Sequence, residues 1–436
     1  MGLSSLTAFG DFLNIEMGQS PGSISVNQNG TGTPLLNGPA EFTERFPVPV
    51  QYTTQGNRFA EKNDILFCVR GSTTGRMNIA DQKYAIGRGL AAISHKQGRH
   101  LNSFVKGLIE LNLTSLLGGT PGSVFPNLTK DQLYQFKCAI PDPITQRQIS
   151  IILSSLDDRI ELNNEINAEL EGIAKTLYDY WFLQFDFPDK NGQPYRSSGG
   201  KMIYNVKLKQ YVPKGWDAKN LNYFIAKGKS GDWGKEQIEG NYTTKVECIR
   251  GADINGINGK GEVKTPSRFI LEKNGYKILT PNDLVVEISG GSPIQSTGRL
   301  ACVTAEVLER FENPLICSNF CKAVSLISEE VVFYFTHSWN KAYDNGVFFG
   351  FEGKTSGIKN LLFDSLVMHY QIPLPHEELL MKFQEKIALF EKQKQINLKQ
   401  NQELAALRDW LLPMLMNGQV KVGDIAAPAG SPVSLS

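Results

Sequence analysis

Two stretches of this chain, 234 residues apart (397 against 163), carry the same helical pattern, and that duplication limits what the whole can fold into. NNEINAELEGIAKTL from Asn163, set against NLKQNQELAALRDWL from Asn397, matches at Asn163/Asn397, Asn167/Asn401, Glu169/Glu403, Leu170/Leu404 and Leu177/Leu411. The first lies on a seam of Ile149, Leu153, Leu156, Ile160, Asn163, Asn167, Leu170, Ala174 and Leu177, alternating steps of four and three. That is the coiled-coil period, which keeps one stripe facing a partner helix. The second seam, Phe383, Ile387, Phe390, Lys394, Asn397, Asn401, Leu404, Arg408 and Leu411, repeats the phase. Each seam has two asparagines at its middle, where a polar residue costs stability and fixes register. Two like helices so marked are expected to pair antiparallel with their amides meeting.

What precedes each helix also repeats. NDILFCVRGSTTGR from Asn63 parallels NDLVVEISGGSPIQSTGR from Asn282, an apolar strand running into a Gly/Ser/Thr turn that ends in Gly-Arg. NLTKDQLYQFKCAIPDP from Asn127 parallels NLLFDSLVMHYQIPLP from Asn360, each read as a short helix, a strand and a proline break. The expected fold is therefore mixed α/β: two α+β domains separated by two long helices forming an antiparallel coiled coil, with pseudo-twofold repetition. The expected boundaries are 1–143 for the first domain and 144–185 for the first helix. Residues 186–375 make a linker plus the second domain, 376–422 the second helix and 423–436 a flexible tail. Within this, Asp186 to Met202, polar and Gly/Ser-rich, reads as the linker.

At 436 residues the chain is long enough for two or three cores. Its longest apolar run, Leu411 to Met416 around Pro413, is far short of the roughly 20 residues a bilayer demands, and the first residues lack the basic start and apolar core of a secretory signal. A cytoplasmic protein with no membrane role is expected. Six scattered cysteines do not make a disulfide framework, and LICSNFCKAVSL, holding Cys317 and Cys321, reads as a buried strand rather than half a zinc site. Net charge is only +1, but Lys190 to Lys277 holds 17 Lys+Arg against 8 Asp+Glu, leaving the remainder at −8. A basic segment in a neutral chain suits a polyanion bound on one face, although a solvated lysine-rich face would look the same.

Searches for catalytic motifs return absences. Gly353-Lys354-Thr355 lacks the glycine a phosphate loop needs, since Phe348 stands there; Gly30 and Gly32 are followed by Leu35 where a dinucleotide fingerprint needs glycine. Asp283 and Glu287 are spaced like a nuclease carboxylate pair, but Ser289 replaces the lysine that would complete it. The five histidines show no ligand spacing, so neither catalytic residues nor a metal site is expected. The two repeated turns differ from these. Arg70, Ser72, Thr73 and Arg76 in one, and Ser292, Gln295, Ser296, Thr297 and Arg299 in the other, combine hydroxyls and cations on glycine-rich backbone able to contact phosphates and base edges. A plain solvated turn is the alternative for either.

QRQISIILSSLDDRIELNNEINAELEGIAKTLYDYWFLQFDF from Gln146 resembles the central region of type I restriction-modification specificity subunits, and Gln400 to Val422 resembles their C-terminal region. MGQSP at Met17 and SGDWGKE from Ser230 resemble openings of that family's target recognition domains. The resemblance implies two recognition domains, each reading half of a bipartite, asymmetric site in double-stranded DNA, and a chain with no activity and no bound cofactor. It further implies two partner methyltransferase subunits using S-adenosylmethionine, and restriction subunits using ATP and Mg. A non-catalytic scaffold, with two ligand-binding domains on a coiled-coil spacer and no DNA role, is the rival reading of the same architecture.

Overall fold

The computed structural model describes residues 6–118, 127–290, 295–355 and 358–420. Ser292 and the 423–436 tail lie outside them. The chain divides into two compact units, residues 1–161 with 401–436, and residues 162–400. Both long helices contribute to each.

The first unit is built on a four-stranded antiparallel sheet in the order Leu13–Met17, Leu90–His95, Ile65–Cys68, Met77–Ile79. Alternation along its strands divides the side chains between two cores. Ile65, Phe67, Ala91 and Ile93 enter one with the helix Asn102–Leu116, while Leu66, Cys68, Leu90 and Ala92 enter the other. Covered on both faces, such strands read as unbroken apolar runs. A second sheet places Thr33–Leu36 between an antiparallel neighbour, Gln51–Thr53, and a parallel one, Tyr84–Ile86.

The second unit repeats the core of this plan, with a smaller second sheet and added strands of its own. Its four-stranded sheet runs Ile225–Ser230, Cys321–Leu326, Asp283–Glu287, Leu300–Val303, again antiparallel throughout. Tyr242–Ile249 sits between antiparallel Ser267–Leu271 and parallel Leu315–Cys317. Leu284, Val286, Leu300 and Cys302 face one core, and Val285, Ala301 and Val303 the other. In each unit the strand before a long helix pairs with one near the domain's beginning, Lys137–Ala139 with Leu6–Ala8 and Gln371–Leu374 with Asp217–Asn220.

The repeat extends to backbone detail. Asn63 and Asn282 both adopt left-handed φ, 70° and 71°. The following aspartates accept the backbone N–H three residues back, Asp64 from Glu61 at 2.8 Å and Asp283 from Thr280 at 2.7 Å. Asparagine tolerates this conformation better than other side-chain-bearing residues, which explains its recurrence at the turn.

The long helices are Pro143–Tyr178 and Glu377–Met416. They run antiparallel within each unit. In the second unit Asn163 reaches Gln400 at 3.4 Å, Asn397 donates to Asn167 at 2.9 Å and Lys394 meets Glu171 at 3.3 Å, partner numbers falling as the first helix advances. In the first unit Arg408 pairs with Asp157 at 2.8 Å, and Leu153, Leu412 and Leu415 complete the domain core. No residue of either predicted seam is exposed, so Leu170, Leu177, Asn401, Leu404 and Leu411 all lie at least partly covered. No helix among the described residues is long and apolar enough to cross a membrane.

Two sequence expectations need correction. LICSNFCKAVSL is not one strand: Leu315–Cys317 and Cys321–Leu326 belong to different sheets, joined by a turn in which the Cys321 N–H donates to the Ser318 carbonyl at 2.9 Å. Nor is 186–202 a loose linker. The first long helix ends in a π-helical turn, Asp179–Leu183, and Phe185 follows with φ 64°, turning the chain back onto the core. Phe187 then stacks between Tyr195 and Trp216, with ring centroids 4.8 and 5.5 Å away, and Asp186 accepts from both the N–H and the hydroxyl of Ser197. Aromatic packing fixes what composition alone reads as flexible.

Candidate nucleic-acid interface

In the first unit, the strand Ile65–Cys68 leads into the turn Arg70–Arg76. Cys68 N–H donates to the Arg76 carbonyl and Gly75 N–H to the Cys68 carbonyl, both at 2.9 Å, closing the base of the turn. Thr74 N–H reaches Gly71 O at 3.1 Å and Arg76 N–H reaches Thr73 O at 3.0 Å. Gly71 and Gly75, with φ of 83° and 96°, supply conformations that a side chain would strain. Thr73 is half-buried, its hydroxyl 3.5 Å from the Cys68 sulfur. Arg70, Ser72 and Arg76 are exposed, and no ion pair among the described residues engages either arginine. This turn presents two uncommitted cations and backbone polar groups on a rigid hairpin.

The corresponding turn of the second unit is built differently, although its sequence looks alike. Gln295 is exposed. Ser296 and Thr297 are buried and bind Glu352, through the Ser296 hydroxyl at 3.1 Å, the Thr297 N–H at 2.8 Å and the Thr297 hydroxyl at 3.2 Å. Burial works against the Glu352 charge, but these donors and Lys359 outweigh it and hold the carboxyl below its ordinary range. Arg299 forms a two-pronged ion pair with Glu287, at 2.9 and 2.7 Å, which holds its guanidinium above the ordinary arginine range. These arrangements correct the expectation that Ser296, Thr297 and Arg299 are presented to a ligand: their polar groups hold the turn together.

One sequence difference accounts for the different fates of the two arginines. Aligning the repeats puts Glu287 opposite Cys68, and Glu287 N–H donates to the Arg299 carbonyl at 2.9 Å as Cys68 N–H does to that of Arg76. The arginines thus occupy equivalent backbone positions. A carboxylate at 287 captures its arginine; a thiol at 68 leaves its arginine free. Asp283, the other half of the nuclease-like pair, is buried against Lys229 at 2.6 Å and accepts from Ser325, so neither acid is available for catalysis.

The second unit carries polar surface that motif searching passed over. Arg268 lies 4.4 Å from the centre of the Trp233 ring and pairs with Glu236 at 3.3 Å, and Lys235 lies 5.8 Å from that of Tyr242 and pairs with Glu239 at 3.3 Å. Both cations are committed, so what this region presents is the exposed Trp233 ring and the exposed Lys245 of the same sheet region. The region's sequence signal was the SGDWGKE run, legible only as a family likeness. Among the described residues no group of three or more His, Cys, Asp or Glu side chains could hold a metal ion.

Residues 7–172, covering the first domain and most of the first long helix, match the family model for the type I restriction modification DNA specificity domain. That stretch, rather more than a third of the chain, is similar to the type I restriction-modification specificity subunits. The chain is 37% identical over 173 residues to a putative type I restriction enzyme MjaX specificity subunit of Methanocaldococcus jannaschii, an alignment spanning 38% of this chain and 39% of that protein. The MjaIX specificity subunit of the same organism is 28% identical over 70% of this chain and 65% of its own length. Likeness to the HindI specificity subunit of Haemophilus influenzae is 25% over 84% and 88% respectively. A crystal structure of the type I S subunit from M. genitalium shares the fold, with a TM-score of 0.56 at 15% identity over 97% of this chain and 96% of that one.

Proposed function

We propose that this chain is a type I specificity subunit that reads a bipartite, asymmetric site in double-stranded DNA, one half per recognition domain, and has no catalytic activity of its own. The observation that carries this reading is the duplication itself, the same strand order in both units, each completed by the same antiparallel helix pair. Arg70 and Arg76 would contact phosphates or bases from the first domain, and Gln295 with exposed Trp233 and Lys245 from the second. The differing turns suit an asymmetric site, because two heads of unlike chemistry read unlike sequences.

Two methyltransferase subunits, using S-adenosylmethionine, and restriction subunits, using ATP and Mg, would supply the chemistry in the cytoplasm. Support for protein partners comes from apolar side chains left exposed on the long helices, Leu162, Ile166, Ile173, Leu389 and Ile396 in the second unit and Leu407 and Trp410 in the first. Mapping methylated adenines after assembly with the methyltransferase tests the reading directly. Two short sequences separated by a fixed unread gap are expected; a single continuous site, or methylation without sequence preference, would refute it.

A further inference from the structure

The charge of the second unit is concentrated where no recognition turn lies. Between Lys190 and Trp216 there are six cations, Lys190, Arg196, Lys201, Lys207, Lys209 and Lys214, and no acid, so two-thirds of the +9 excess of the Lys190–Lys277 segment falls in its first third. All six are exposed. None takes part in an ion pair among the described residues, although most other basic patches of this unit are internally neutralised, as at Lys229–Asp283, Arg250–Asp253 and Arg299–Glu287.

Four of them, Lys201, Lys207, Lys209 and Lys214, sit on or immediately beside a built element. Met202–Asn205 and Gln210–Pro213 form an antiparallel hairpin, its turn pinned by the Asn205 side chain, which accepts the N–H groups of Lys207 and Leu208 at 3.0 and 3.1 Å. Val212 and Trp216 anchor it to the domain core, with Met202 and Leu208 packed against that core. Tyr204 and Tyr211 are in edge-to-face contact at 5.4 Å, half or more exposed. Anchored to the core, with cations at its turn and flanking its strand ends, the hairpin displays charge on a fixed base.

We propose that this hairpin is a sequence-independent docking element for the phosphodiester backbone of duplex DNA. The inference rests on the DNA-reading function proposed above and adds to it a contact outside both recognition turns. Five of the six cations are lysines, which act on phosphate as point charges and lack the planar fork with which arginine distinguishes bases. An acidic protein surface is the less suitable occupant, because lysine is depleted in protein interfaces while uncompensated lysines are the usual footprint of a polyanion. The tyrosine hydroxyls add donors of the kind that orient a backbone without reading it. The element also supplies charge to a unit whose own recognition turn has its arginine paired, Arg299 with Glu287.

The test is a salt titration of the full-length chain on two labelled duplexes of unrelated sequence. A variant carrying Lys207→Gln, Lys209→Gln and Lys214→Gln is compared with wild type and with a control of equal charge, Lys382→Gln, Lys386→Gln and Lys392→Gln on the second long helix. The six substituted lysines are all exposed. Each phosphate contact contributes about 0.9 to the slope of log K against log salt, so the hairpin variant should lose roughly 2 to 3 from the slope, equally on both duplexes. The control should keep the wild-type slope. An unchanged slope in the hairpin variant, the result an acidic protein partner would give, overturns the proposal and leaves the specificity reading standing. A slope that falls on one duplex only overturns its sequence independence, and a wild-type chain with no salt-dependent affinity for duplex overturns both readings.

Discussion

At the residue scale the seam asparagines and one histidine carry the clearest consequences. Asn397 donates to Asn167 at 2.9 Å and accepts from Gln393 at 2.8 Å, a buried polar contact between the two long helices. Asn397→Ala leaves the buried Asn167 oxygen without that donor and should cost about 1–3 kcal/mol, read as a lower urea midpoint. Replacing both by leucine removes the orphan and should recover or exceed wild-type stability, at the expense of a fixed register. His337 stacks on Tyr178 at 5.5 Å beside a cavity of about 460 Å³ in the second unit, lined in part by Glu391, Lys394 and Asp179. Burial pushes its imidazole down from 6.5 to about 4. The folded chain therefore keeps His337 neutral while the unfolded chain protonates first, so its contribution is full above about pH 6.5 and is lost as pH falls towards 4. The loss is on the order of 2–3 kcal/mol, and unfolding of His337→Gln should be less acid-sensitive in that window. A pH dependence identical to wild type would refute this.

Among the elements, the two recognition turns make opposite predictions from similar sequences. Arg76 is exposed and unpaired, so Arg76→Ala should leave the unfolding midpoint nearly unchanged and weaken duplex binding, with the salt slope falling by about 0.9 if it meets a phosphate. Arg299→Ala instead strands the buried Glu287 carboxylate, and breaking such a pair costs about 3–5 kcal/mol. Its signature should be thermal, with DNA affinity affected only through loss of fold. Comparing the two variants by calorimetry and by binding separates a structural arginine from a contacting one. The sequence could not make this distinction from Gly-Arg and hydroxyls alone, because the deciding residue, Glu287 in place of Cys68, lies on the preceding strand and acts across it.

For the whole molecule, the full chain incubated with duplex and S-adenosylmethionine should transfer no methyl group unless a methyltransferase subunit is added; transfer by the chain alone would contradict a specificity role. Helix length should set the spacing of the site it reads. Inserting one heptad after Glu161 and one after Gln400, opposite each other in the antiparallel pair, keeps the seam in phase and adds roughly 10 Å of helix, or about three base pairs. Methylation mapping with the partner subunit should show the same half-sites with a wider gap, at reduced affinity because duplex twist also rotates one half-site. Altered half-sites with an unchanged gap would refute the spacing role.

Periodicity and repetition were legible in the sequence because they are one-dimensional. The seam residues Ile149, Asn163, Asn167 and Asn397 are buried as their spacing requires, and Asn63-Asp64 and Asn282-Asp283 head equivalent strands because the same local chemistry recurs. What depended on three dimensions was not legible: that Asp186 to Met202 folds under an aromatic stack, and that Ser296 and Thr297 answer to Glu352, more than fifty residues away. The duplicated architecture and its two helices follow from residue order alone, since a helical stripe or an apolar strand is a property of neighbouring residues. Which cations are free to meet a ligand depends on folding, because a charge is committed or available according to the partner brought within a few ångströms of it.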